Sequence, residues 1–123
     1  MNCVIYVRVN NKDDDSIKNQ EELLKSYSNY KNFNIKEVFA DNGYSGTNFN
    51  RPSFKNMVDY VKNNDIDLII VKSIDRISRN TIDVINFLKG MKDLNIEVHC
   101  IDYGSIDLSD TFIMMNNYLD SND

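Results

Sequence analysis

Four short apolar runs, "CVIYVRV" (residues 3–9), "IKEVFA" (35–40), "DLIIVK" (67–72) and "IEVHCI" (96–101), are separated by stretches whose apolar residues recur at helical spacing. That alternation restricts the fold more than any other feature. The runs are rich in β-branched residues and too short to be good helices, so they read as strands. Each interval has room for one helix. Strands alternating with helices argue for an α/β domain built on a central, largely parallel sheet flanked by helices.

The intervals support this reading in detail. A first helix is expected over about Ser16–Tyr30, with Ile17, Leu23, Leu24 and Tyr27 facing inward and Ser16 as N-cap. Asp13, Asp14 and Asp15 stand before it, where carboxylates complement the positive helix end. A second helix opens at Pro52, a residue suited to a first turn, and carries Phe54, Met57, Val58 and Val61. A third follows "SIDRISRN", with Ile82, Ile85, Leu88 and Met91 at core spacing. A last helix is expected from Ser109 or Asp110, with Phe112, Met115 and Leu119 on one stripe, cut short at Asp123. The 123 residues are thus expected to form one domain, with a core over about 1–108 and the start of a truncated C-terminal interface helix over about 109–123.

Several function classes drop out on composition. With a mean hydropathy of −0.48 and no apolar run near the roughly 20 residues a bilayer needs, a membrane span is not expected. The N-terminus lacks the charged and apolar regions of a signal peptide, so a cytoplasmic protein is expected. Cys3 and Cys100 lie inside strand runs and read as buried thiols. His99 is the single histidine and has no companions at ligand spacing, so neither a metal site nor a cofactor is expected.

The net charge of −5 is unevenly spread. Residues 1–98 hold 14 acidic and 14 basic side chains, and the excess lies in Asp102, Asp107, Asp110, Asp120 and Asp123. A local phosphate site is compatible with that distribution, whereas a broad nonspecific DNA surface is not supported. Arginine usage is more informative. Ten lysines serve general solvation, and only four arginines occur: Arg8, Arg51, Arg76 and Arg79. A guanidinium fork matches phosphate oxygens bidentately in a way that lysine does not. Arg8 ends the first strand, Arg51 follows the second, and Asp75 and Arg76 follow the third. Ligand sites of such sheets lie beyond the carboxyl ends of the strands, so the four arginines are expected to meet at one edge.

"YVRVNNKDDDSIKNQ", "DNGYSGTNFNRPSF" and "IDRISRN", in this order, resemble the catalytic domain of serine site-specific recombinases: the resolvases, invertases and large serine integrases. The resemblance spans roughly residues 3–120. It implies a resolvase-like three-layer domain and metal-free breaking and joining of DNA, in which a serine hydroxyl attacks a backbone phosphate and forms a phosphoserine link to the 5′ end. It also implies DNA as partner through a separate DNA-binding region, and a homodimer or tetramer in the full-length form. By the same resemblance Arg8, Arg76 and Arg79 match phosphate-activating arginines, and Arg51 the arginine before proline. Asp75 would chiefly orient an arginine, while Gln20, Asp41 and Ser45 would support the site with hydrogen bonds. Charge on the nonbridging oxygens is the main thing such a reaction must stabilise, which fits clustered guanidinium groups.

Three positions depart from the pattern: Asn10, Asn11, where a small hydroxyl residue is common, and Asp14, where a glutamine is frequent. The nucleophilic serine is expected two residues after the strand arginine, and Asn10 stands there. A carboxamide has a delocalised nitrogen lone pair and no hydroxyl to activate. Three explanations stay open: an inactive homologue that still binds DNA phosphate or its own kind, a variant of an active parent, or substitution by Ser16, Ser45, Ser73 or Ser78. A noncatalytic interaction or regulatory module is the competing function, and a receiver-like domain with Asp13–Asp15 as acidic pocket ranks below both.

Overall fold

Strand β1 (Asn2–Val9) is buried along almost its whole length, which follows from its unbroken apolar character and requires cover on both faces and both edges. The computed structural model describes residues 1–47, 50–102 and 104–106. In it β1 is followed by helix α1 (Asp14–Tyr30), β2 (Asn34–Asn42), α2 (Pro52–Asn63), β3 (Leu68–Val71), a 3₁₀ turn at Ile74–Arg76, α3 (Thr81–Asp93), β4 (Glu97–Cys100) and β5 (Gly104–Ile106). The sheet order is β2-β1-β3-β4-β5. The first four strands are mutually parallel, and β5 pairs antiparallel with β4. Sequence periodicity gave no sign of β5, a three-residue strand after a turn.

The crossover from β1 to β2 and the one from β2 to β3 run in opposite directions, since β2 and β3 lie on either side of β1. Right-handed connections then place α1 on one face and α2 and α3 on the other. Two apolar layers result. Cys3, Ile5, Val7, Leu68 and Ile70 pack with Leu24 of α1, while Val4, Tyr6, Ile69 and Val71 pack with Phe54, Met57 and Val61 of α2 and Val84, Leu88 and Met91 of α3. The three-layer α/β architecture is the one expected. Both cysteines are free and buried. Among the described residues no helix is long and apolar enough to cross a membrane.

Several local expectations are corrected. The N-cap of α1 is Asp13 and not Ser16: the Asp13 carboxylate accepts from the Ser16 backbone N–H at 3.1 Å and from its hydroxyl at 2.8 Å. Those contacts hold the Asp13 carboxyl below the usual carboxylate range. Leu23 is 44% exposed, because Leu24 takes the inward position. Ile82 is 65% exposed; Val84, Leu88 and Met91 line the buried face of α3. The expected helix from residue 109 lies outside the described residues.

Two asparagines shape the turns that feed the sheet. Asn32 and Asn95 have φ of 60° and 59°, directly after the C-caps of α1 and α3. At each turn the next residue reaches back five positions, Phe33 N–H to Ser28 O and Ile96 N–H to Met91 O, both at 2.9 Å. Asparagine tolerates this left-handed conformation, so both helices stop and turn sharply into strands.

Candidate functional site

β3 pairs with β1 only over Cys3–Ile5, so the upper part of β1 has no strand neighbour on that side. Gln20 of α1 fills the gap: its Oε1 accepts from the Arg8 N–H at 3.2 Å, and its Nε2 donates to the Arg8 carbonyl at 3.3 Å. A side-chain carboxamide thereby satisfies a peptide that a strand would otherwise have paired. Arg76 Nη1 donates to the same carbonyl at 3.2 Å. Gln20 is therefore a backbone anchor of Arg8.

The Arg8 side chain is fully buried and surrounded by acceptors. Its Nε donates to the Arg76 carbonyl at 3.1 Å, Nη1 to the Tyr44 carbonyl at 2.9 Å and Nη2 to the Asp75 carbonyl at 2.6 Å. Nη1 also donates to Asn10 Oδ1. One guanidinium thus ties together the end of β1, the loop after β2 and the turn after β3. Burial, followed by repulsion from Arg51, lowers the Arg8 pKa from its ordinary value; Arg76 adds to the repulsion, while Tyr6 and Asp75 act the other way.

Arg51 is also fully buried. Its Nη1 donates to the Arg76 carbonyl at 2.9 Å and to the Tyr6 hydroxyl at 3.1 Å, and its Nη2 donates to the Ile77 carbonyl. The guanidinium lies over the Phe54 ring, 4.6 Å from its centroid. The Tyr6 hydroxyl in turn donates to Asp41 Oδ2 at 2.7 Å. Burial and that bond to a carboxylate keep the phenol neutral by raising its pKa, against a smaller lowering by Arg51. Asp41, buried at the end of β2, accepts from the backbone N–H groups of Ser53 (3.0 Å) and Phe54 (2.9 Å). It caps α2 across a loop, and Arg51, the residue at the N-cap, makes no side-chain cap bond.

The remaining residues divide between support and open mouth. Asp75 receives the Ser73 hydroxyl, and its carboxylate makes no ion pair with an arginine among the described residues. Its backbone carbonyl is what orients Arg8, so the expectation for its side chain is revised. The turn that carries Arg76 ends with a C-cap at Ile77, so Arg79 does not share a helical face with it. Arg79 is exposed, held through its backbone N–H to the Gly46 carbonyl at 2.8 Å. Ser45 Oγ meets Thr47 Oγ1 at 2.7 Å and accepts from the Thr47 N–H, a loop-stabilising role. Asn10 is exposed at the mouth, in contact with Arg8.

Two glycines permit the close approach. Gly43 has φ of +93°, which lets its N–H and that of Tyr44 both reach the Val9 carbonyl at 3.0 Å. A Cβ on Gly46 would lie 2.5 Å from Arg8 Nη2. Tyr6 is not expected at the site from the sequence, and Ser78 is expected only as an alternative hydroxyl. Tyr6 joins Asp41 to Arg51, and the buried Ser78 hydroxyl donates to Gly46 O at 3.3 Å while accepting from Asn80 N–H. A strand tyrosine and a loop serine carry no local signal of such partners.

Three segments distant in sequence therefore bring guanidinium groups to the carboxyl ends of β1 and β3, where strand order reverses. A family model described as "Resolvase, N terminal domain" matches residues 3–117. The chain belongs to this family. The Tn2501 transposon resolvase of Escherichia coli is 34% identical over 59 residues, 48% of this chain; the match spans only 29% of that relative's length. Among solved structures, the N-terminal catalytic domain of TP901-1 integrase superposes with a TM-score of 0.83 at 22% identity, covering 99% of this chain and 98% of that one. A resolvase-family site-specific recombinase from Streptococcus pneumoniae gives 0.80 at 21% identity, covering 99% of this chain and 89% of that one. At such identities these structures speak for the fold, and the resolvase family assignment rests on the family model.

Proposed function

We propose that this resolvase-family domain engages a DNA backbone phosphate through its arginine cluster and, as written, forms no covalent link to it. The observation that carries the reading is the contact of Asn10 Oδ1 with Arg8 Nη1. It puts a carboxamide at the open mouth of the cluster, where the family resemblance calls for a serine hydroxyl. Arg8 and Arg51 act from below: both are spent on carbonyls of the 75–77 turn and hold it in place. Arg76 and Arg79 are the cations left for the phosphate oxygens. Neither has a carboxylate partner among the described residues.

The alternative hydroxyls are all engaged. Ser16 is bound to Asp13, Ser45 to Thr47, Ser73 to Asp75, and Ser78 is buried against Gly46. None of them takes the attacking role in this reading; for that role position matters more than proximity. The proposed partners are DNA and further copies of the chain, as the family resemblance implies, in a cytoplasmic setting.

The test is adduct trapping on nicked duplexes of randomised sequence, with peptide mass spectrometry to locate any phosphate. The chain as written is expected to give no adduct, and Asn10→Ser is expected to give a 5′-phosphate ester on the new serine. An adduct on any serine of the unaltered chain would refute the reading. If the Asn10→Ser protein is folded but inert, more than the nucleophile is missing, and a noncatalytic interaction module becomes the better description.

A further inference from the structure

The carboxamide at position 10 is oriented from one side only. Arg8 carries donors alone, so the Asn10 atom that meets it is Oδ1. The other end of the amide, Nδ2 with two N–H donors, has no partner among the described residues and belongs to an exposed side chain. Close by, Nε of the half-buried Arg76 is itself buried and finds no acceptor, which is costly for a polar N–H. The exposed Arg79 also approaches Gly46, with its Cγ 3.2 Å from where a Gly46 Cβ would lie. Around this mouth the chain gathers Arg8, Arg51, Arg76 and Arg79 against Asp41 and Asp75, a formal excess of two positive charges. An internal phosphodiester brings one negative charge and two free oxygens. A terminal phosphomonoester brings about −1.5 to −2 at neutral pH and three acceptor oxygens.

We infer that Asn10 turns the nucleophile position into a donor, so that the cluster seats the terminal phosphomonoester of a DNA strand noncovalently, in preference to an internal diester. This rests on the reading that the cluster engages DNA phosphate, and it names the form of phosphate engaged. A serine would offer one hydroxyl and could be esterified. The amide offers two N–H groups, cannot be esterified, and leaves Arg8 screened by Oδ1. The oxygens of a phosphate end would meet Asn10 Nδ2, Arg76 and Arg79, each of which lacks a full set of acceptors.

The inference is tested by fluorescence anisotropy with one short oligonucleotide in three forms: 5′-phosphorylated, 3′-phosphorylated and unphosphorylated. At least one phosphorylated end is expected to bind about tenfold or more tightly than the unphosphorylated strand, consistent with one added charge near partly exposed cations. Inorganic phosphate should compete. Asn10→Asp, which sets a carboxylate beside the bound anion, is expected to abolish the preference, and Arg79→Ala, at an exposed residue, to reduce it. Equal affinity for all three forms would overturn the inference while leaving the diester reading standing. No binding to any form would remove both. Tight binding with an unchanged preference in Asn10→Asp would show that the end is recognised elsewhere, and would also overturn it.

Discussion

A methyl group on residue 46 would lie 2.5 Å from Arg8 Nη2 and 3.2 Å from Arg79 Cγ, so the missing side chain is what lets the loop after β2 close over the guanidinium. Arg8 cannot step aside cheaply, because its other nitrogens are bonded to the carbonyls of Arg76 and Tyr44. Gly46→Ala is therefore expected to destabilise the fold by about 1–3 kcal/mol, the usual range for overpacking, measured by urea unfolding. Arg51→Lys is expected to be more damaging. It keeps the charge, but an ammonium cannot serve the Tyr6 hydroxyl and two carbonyls in the same fork or lie flat over Phe54. A loss of about 2–4 kcal/mol in the same assay is the expected outcome. If Arg51→Lys proves neutral, its bonds to the turn carry no net stability. The sequence made the arginines conspicuous because lysine does the solvating work elsewhere. It could not say which would meet phosphate and which would meet backbone, since a carbonyl oxygen and a phosphate oxygen attract the same N–H donors.

Secondary-structure boundaries were legible wherever capping chemistry and period agreed, as at Pro52, and less so where two stripes compete. In α3 either Ile82 and Ile85 or Val84 could have joined Leu88 and Met91 toward the sheet, and only the sheet decides. Caps supplied from another element were invisible for the same reason. Asp41 sits eleven positions before Pro52 in the sequence and yet accepts the first free N–H groups of α2. Asp41→Ala should cost about 2–3 kcal/mol, more than an ordinary surface cap, because it also strands the buried Tyr6 hydroxyl. Its effect and that of Tyr6→Phe should be less than additive in a double-mutant cycle, as both remove one shared bond. The cap of α1 adds a pH signature. The folded-state pKa of Asp13 is depressed, so its contribution is present above the ordinary carboxylate pKa and disappears as pH falls through the lowered value. The stability gap between wild type and Asp13→Asn should therefore close on acidification; a gap independent of pH would mean that the ionised cap contributes nothing.

The α/β class follows from alternating runs, but strand order does not, and strand order is what makes the site. With β1 in the middle and β2 and β3 on either side, the loops that leave both strands converge over a single sheet edge. The same arrangement gathers the arginines in one place on a molecule whose net charge is −5 and whose isoelectric point is about 4.8. That contrast governs how nucleic acid should bind. A duplex held along a broad basic surface releases many counterions, and its affinity falls steeply with salt, whereas a strand gripped at one or two phosphates releases few. For this chain the slope of log affinity against log salt is expected to lie between about −1 and −2, measured by anisotropy from low to physiological ionic strength. Arg79→Ala should flatten it by removing a cation at the mouth. A slope steeper than about −5 would require a second basic face beyond the arginine cluster.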